Sequence, residues 1–188
     1  MARPRSEDKR SAIMSAAIHV IASQGLGAPT ATIAKEAGVS NGSLFNYFGT
    51  KADLLNQLYI ELKSEMAAAA LDGLPSEDDI RRQMLHVWSQ WLSWATSFPE
   101  KRRALTHLGV LDDITVESRQ IANNALSGIS KLLERGRENG PMCNTPLEFI
   151  VSIVNAMADA TIDFMINDPA NADKHCTVSF DAIRRMLT

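Results

Sequence analysis

Residues 30–51 read TATIAKEAGVSNGSLFNYFGTK, and the fold turns on this stretch. Ile33, Ala34, Val39 and Leu44 fall where a helix, a tight turn and a second helix would point them inward. Ala34 and Ala37 are small enough for two helices to cross closely. Gly38 sits at the turn, where the backbone needs a conformation that other residues resist. Thr30, after Pro29, is expected to cap the amides of Thr32 or Ile33, and Ser40 to cap a helix over about Asn41 to Tyr47. That second helix is short and polar outside. Ser40, Asn41, Ser43, Asn46 and Tyr47 offer donors and acceptors of a size suited to base edges and phosphates, and Gly42 lets a partner approach the backbone. Lys51 opens the next helix, where a cation opposes the helix dipole, so a phosphate partner is expected there. A plain helical hairpin with a polar exterior would satisfy the same pattern.

Working outward, Ile13, Ala16, Ala17, Val20 and Ile21 recur at three- and four-residue intervals between Ser6 and Ser23 and predict a helix with one buried stripe. Gln24-Gly25-Leu26-Gly27 ends it. On the other side, Thr50 with Asp53 makes a capping-box-like start to a long helix that lines up Leu55, Leu58, Tyr59, Leu62 and Met66. After the turn Asp72-Gly73-Leu74-Pro75-Ser76, helices are expected at about 77–97, 99–111, 115–138, 146–167 and 172–187. Pro99, Pro141, Pro146, Pro169 and Asn139-Gly140 punctuate them. Strand alternation is nearly absent. The expected architecture is all-α. A three-helix head with a helix-turn-helix over 1–52 is joined by the long helix to a helical body over 53–188.

The net charge of −3 argues against a polyanionic partner, but its distribution does not. Residues 1–51 hold six Lys/Arg against three acids, whereas the remainder holds 13 against 19. A basic head on an acidic body is the asymmetry expected when one end meets nucleic acid. No run approaches the roughly 20 uninterrupted apolar residues of a membrane span. The basic start MARPRSEDKR is not followed by a signal-peptide core, because Ser15 and His19 interrupt Ile13 to Ile21. A cytoplasmic protein with no membrane partner is expected. Cys143 and Cys176 are far apart and lack metal-ligand spacing, so buried or indifferent thiols, no metal and no cofactor are expected. An enzyme is the first alternative, yet His19, His86, His107 and His175 are scattered and no dyad, triad or nucleotide-binding glycine pattern accompanies them.

The string GVSNGSLFNYFGTKADLL, with Thr30, Ile33 and Ala34 upstream, resembles the signature of the TetR family of bacterial repressors. The resemblance is specific over about residues 8–62. It implies a homodimeric repressor that binds double-stranded, palindromic operator DNA through a helix-turn-helix DNA-binding domain over 1–52, carries a helical ligand-binding and dimerisation domain over 53–188, and is released by a small-molecule inducer. Thr30 and Thr32 would then touch backbone phosphate. Ser40, Asn41, Gly42, Ser43 and Asn46 would face the major groove, with Tyr47 and Lys51 gripping phosphates. Phe45 stands where the family usually has tyrosine, which removes one phosphate contact. The basic start is similar to that of multidrug-responsive members. An activator, or a helical ligand-binding protein without DNA activity, stays open.

Trp88 and Trp91 lie on adjacent faces of one expected helix with Met84 and Leu92 beside them, while Tyr59, Lys63 and Met66 project from the long helix. Aromatics with methionines suit planar, apolar or cationic ligands, so an aromatic or apolar inducer is expected, although the same residues could simply fill a core. Lys63 could meet an anionic group or snorkel to water. Asp159 and Asp163, one turn apart and near Asn155, could neutralise a cationic ligand or stay solvated. The 146–167 helix has an apolar band too broad for one neighbour. By the family resemblance it meets a second copy, through Val154, Met157, Thr161 and Met165, with Ala156, Ala158 and Ala160 allowing close approach.

Overall fold

The computed structural model describes residues 3–76 and 79–188, with side chains from Glu7 onward. The described residues form ten α-helices: α1 (Arg3–Gln24), α2 (Thr30–Glu36), α3 (Asn41–Phe48), α4 (Lys51–Leu71), α5 (Ile80–Ser97), α6 (Pro99–Gly109), α7 (Val116–Ala125), α8 (Ser127–Arg137), α9 (Leu147–Asn167) and α10 (Ala172–Leu187). A single 3-10 turn, Pro169–Asn171, precedes α10. Glu77 and Asp78, where the sequence predicts the start of the fifth helix, lie outside the described residues. The chain divides into two compact units, Met1–Ser64 with Phe98–Asn124 and Glu65–Ser97 with Ala125–Thr188. Packing therefore groups α6 and α7 with the helix-turn-helix, and α4 runs unbroken from one unit into the other.

In the first unit the α1 stripe is buried as its periodicity predicts: Ile13, Ala16, Ala17, Val20 and Ile21 are each at most 5% exposed. Ile33 and Ala34 of α2, Leu44 and Phe48 of α3, and Leu54, Leu55 and Leu58 of α4 complete that core. Packing along α1, α6 buries Ala104, Leu105 and Leu108. The Arg10 guanidinium stands 5.5 Å over the Phe48 ring and donates to Gln57 and Glu61 of α4, holding α1 to α4 by its charge. One polar side chain is buried for a clear reason. Asn56 Nδ2 donates to the carbonyls of Ala52 and Asp113, and its Oδ1 accepts the Thr115 N–H, all at 2.9 Å. The loop before α7 is thereby fastened to α4.

The second unit is a bundle in which α5 packs against α8, α9 and α10. Arg137 is buried at the end of α8 and is fully used. It donates to the carbonyls of Met142, Cys143 and Thr145 and pairs with Glu134, which orders the connection to α9.

Two expectations about the helices need correction. Thr30 does not cap α2: Pro29 is the N-cap, held extended at φ −67°, and its carbonyl accepts the Thr32 N–H at 3.0 Å. The single helix expected over 115–138 is two, because the backbone leaves helical geometry at Leu126 (φ −86°, ψ 0°). The break brings α8 against the end of α4, where a Cβ on Gly128 would lie 3.2 Å from Leu71 Cδ1. A third finding concerns α9, which is long and apolar enough to cross a membrane by length and composition, against the reading of the sequence. In this fold Ile150, Val154, Ala158, Thr161 and Ile162 of α9 are buried in the second unit.

Candidate nucleic-acid interface and ligand cavity

The turn between α2 and α3 is built as the residues require. Gly38 takes φ +67°, the left-handed region that costs a side chain energy, and the Val39 N–H returns to the Ala34 carbonyl at 2.9 Å. Ser40 Oγ accepts the Ser43 N–H at 3.0 Å, capping α3. Ser40 thus spends acceptor capacity on its own helix and keeps its O–H for a partner. Leu44 and Phe48 anchor the inner face of α3, which leaves Asn41, Gly42, Phe45 and Asn46 exposed and Ser43 and Tyr47 half-buried. Thr30 and Thr32 are half-buried at the start of α2. Among the described residues, no hydrogen bond engages the side chains of Thr30, Thr32, Asn41, Asn46 or Tyr47. A Cβ on Gly42 would meet nothing within 4 Å, so nothing inside the chain demands glycine there.

Lys51 is placed differently from the sequence reading. Its Nζ donates to the carbonyls of Leu26 and Ala28 at 2.7 and 2.8 Å, pinning the start of α4 to the α1–α2 loop. A cation at the start of a helix needs an outside negative partner, and here two carbonyls supply it. A phosphate is therefore not required to explain its position, and one N–H of three remains for one. Just ahead of it, Thr50 and Asp53 form the expected reciprocal cap, with Thr50 N–H on Asp53 Oδ2 and Asp53 N–H on Thr50 Oγ1, both at 3.0 Å.

In the second unit Met84, Val87, Trp88 and Trp91 of α5, with Ile129, Leu132 and Leu133 of α8, Val154 of α9, and Phe180 and Ile183 of α10, line a cavity of about 50 Å³. The two indoles meet edge to face, centroids 5.7 Å apart at 89°. Three of the expected ligand residues, Met84, Trp88 and Trp91, are in this wall. Four are not. Leu92, fully buried, belongs to core. Tyr59 is core in the first unit, with the Arg119 guanidinium 5.9 Å over its ring. Lys63, half-buried on α4, and Met66, buried there, are also outside the lining. A helix exposes several faces, and sequence gives no means of telling which faces from different helices converge. The wall residues of α8 and α10 were invisible for the same reason. Asp159, Asp163 and Asn155 are exposed on α9 and do not reach the cavity.

The residues expected to meet a second copy also divide. Val154 and Thr161 are 7% exposed and face their own core, Val154 in the cavity wall and Thr161 with its hydroxyl on the Met157 carbonyl. Both are thus held within their own chain, whereas Met157 and Met165 are half-buried. The outward apolar groups of α9 include Phe149 (56% exposed), Ala156, Ala160, Phe164 (61%) and Ile166 (45%), with Val178 (61%) on α10. Cys143 is exposed, and burial pushes the half-buried Cys176 thiol above its ordinary value.

Residues 13–58 match the family model described as bacterial regulatory proteins, tetR family. A solved structure from Shewanella sp. PV-4, assigned to the tetR family of transcription regulators, is 28% identical, with 93% of this chain and 95% of that one covered and a TM-score of 0.83. A TetR family transcription regulator from Marinobacter aquaeolei VT8 shares the fold at 19% identity, TM-score 0.85, with 98% of each chain covered. The FadR regulator of Bacillus subtilis, solved with stearoyl-CoA, shares it at 19% identity and TM-score 0.68, with 95% of this chain and 98% of that one covered.

Proposed function

The chain belongs to the TetR family of transcriptional regulators, which are not enzymes, and on that premise we propose that it is a homodimeric repressor released from a palindromic operator by a small molecule. The observation that carries DNA recognition is the outer face of α3. It presents Asn41 and Asn46 with unused amides around a glycine that nothing in the chain requires. Asn is the side chain that pairs adenine in a bidentate manner, so these two read bases, with Ser40 and Ser43 beside them and Gly42 giving access. Thr30, Thr32, Tyr47 and the free N–H of Lys51 hold phosphates. Phe45 contributes apolar contact where a tyrosine would add a hydroxyl.

The partner copy docks on α9 and α10 through Phe149, Ala156, Ala160, Phe164 and Val178, with the rims of Met157 and Met165. Alanines let the helices close up, and the exposed aromatics supply the apolar area that a monomer rarely leaves open. The small molecule sits in the α5–α8–α9–α10 cavity; a relative of the same fold was solved with stearoyl-CoA. The protein works in the cytoplasm, where operator DNA is reached. Fluorescence anisotropy with DNA flanking its own gene tests the reading. The expected result is tight, sequence-dependent binding, with nuclease footprinting of the bound fragment showing protection of a palindrome whose half-sites lie one helical turn, roughly 34–36 Å, or a multiple apart. Binding with no preference over random DNA at matched salt would defeat it.

A further inference from the structure

We propose that the cavity of the second unit selects a small, uncharged hydrophobic molecule of about one aromatic ring, and that Gly136 and Met84 set its capacity. The proposal deepens the reading above and rests on it for the consequence of binding, not for the binding itself. The lining carries no charged side chain, hydroxyl or amide. Its polar atoms are the indole N–H groups. That of Trp88 already donates to the Cys176 carbonyl and Ser179 Oγ, both at 3.2 Å. A carboxylate or phosphate entering here would lose its hydration and find at most the Trp91 N–H, and an ammonium only the indole faces, which replace part of what each had in water. Trp88 and Trp91 stand nearly perpendicular, which leaves a corner where a third ring can meet one indole by its face and the other by its edge.

Capacity follows from α8. The free space is about 50 Å³, against the roughly 150 Å³ of an apolar cavity known to take benzene, so a ring enters only if a wall yields. Met84 is the wall residue that yields most easily, being unbranched with three rotatable bonds. Its thioether lies against Gly136, where a Cβ would be 2.6 Å from Sδ and 3.2 Å from Cε. Glycine inside a helix lowers helix stability relative to alanine, and here it gives the Met84 side chain room over α8. Alanine at this position would push the thioether off α8 and towards the cavity it lines.

The test is calorimetric titration of the full-length protein, without DNA, with three probes of one ring: toluene, benzylammonium and benzoate. Toluene is expected to saturate one site per chain, with the two ions at least tenfold weaker. Gly136→Ala is expected to weaken toluene at least tenfold while keeping or raising Tm. Leu133→Ala, which adds room at a half-buried wall, is expected to tighten toluene. Absence of saturable toluene binding overturns the proposal. So does an ion binding as tightly as toluene, or toluene affinity unchanged in both variants. Operator release is measured separately. If toluene saturates the cavity and neither it nor larger neutral rings alter operator affinity, the inducible-repressor reading falls and the cavity stands. If toluene shows no saturable binding and a charged compound releases operator DNA, the cavity proposal falls and the repressor stands.

Discussion

Lys51 opens α4, yet its ammonium turns back to the Leu26 and Ala28 carbonyls rather than out to solvent. Replacing it with alanine removes two charge-assisted hydrogen bonds from a partly exposed site. The expected loss is about 2 kcal/mol, or roughly 4–8 °C in Tm for a chain of this length. If its third N–H also meets a phosphate, Lys51→Ala lowers the salt slope of operator binding by about one unit; an unchanged slope assigns the residue to the fold alone. Asn41→Ala and Asn46→Ala act differently, because neither amide is used inside the chain. Each is expected to leave Tm unchanged and to cost about 1–3 kcal/mol on one operator base pair, read by binding to single-base operator variants. Uniform weakening across all variants would make them phosphate contacts instead.

At the level of the element, α9 carries two apolar faces with opposite fates. Phe164→Asp places a charge on the outward face and is expected to yield folded, helical monomers without operator affinity, seen by light scattering and circular dichroism. Val154→Asp buries an unpaired carboxylate in the cavity wall. It is expected to cost more than about 4 kcal/mol and to unfold the second unit rather than merely dissociate it. A dimer that survives Phe164→Asp would move the interface elsewhere. The turn that follows α9 has a pH-dependent fastening. Asp168 accepts from His175 Nε2 and from the Asn171 amide, and these hydrogen bonds, His175 first, hold its carboxyl below the ordinary carboxylate value. A depressed folded value means the contribution is present above the unfolded pKa, about 3.9, and is lost as pH falls through the folded value. Asp168→Asn is expected to lower Tm at neutral pH and to narrow the gap from wild type on acidification below that range. An equal Tm difference at neutral and acid pH would show that the carboxylate charge is not what matters.

For the whole molecule, α4 is the covalent element that begins at Lys51 in one unit and ends at Leu71 in the other. A ligand can release operator DNA only by binding the non-binding arrangement more tightly. Moving the population from 1:99 to 99:1 takes about 5.5 kcal/mol of differential affinity. Trp88→Ala removes a cavity wall and its two hydrogen bonds to α10, so it is expected to abolish the ligand-induced tryptophan signal and the release of DNA together, with operator binding by the unliganded protein retained. Loss of the signal with release intact would place the inducer at another site.

What the sequence determined by itself lies within one or two helical turns. The buried stripe of α1, the Gly38 turn, the Ser40 cap and the Thr50–Asp53 box are encoded by residues three or four apart, whose hydrogen bonds and apolar spacing need no distant partner. The exposure of Asn41 and Asn46 follows from the same periodicity, since Leu44 and Phe48 claim the inner face. Tertiary structure decided every question of which distant surfaces meet. It turned Lys51 onto the α1–α2 loop, broke the helix at Leu126 so that α8 could lie close to Leu71, and sent Val154 inward and Phe164 outward. It also brought Trp88 and Trp91 to Leu132 and Phe180 while keeping Tyr59 out of the cavity. Periodicity reports that a face is apolar, but several faces of a helix can be so, and only the packing of segments remote in sequence selects what each one touches.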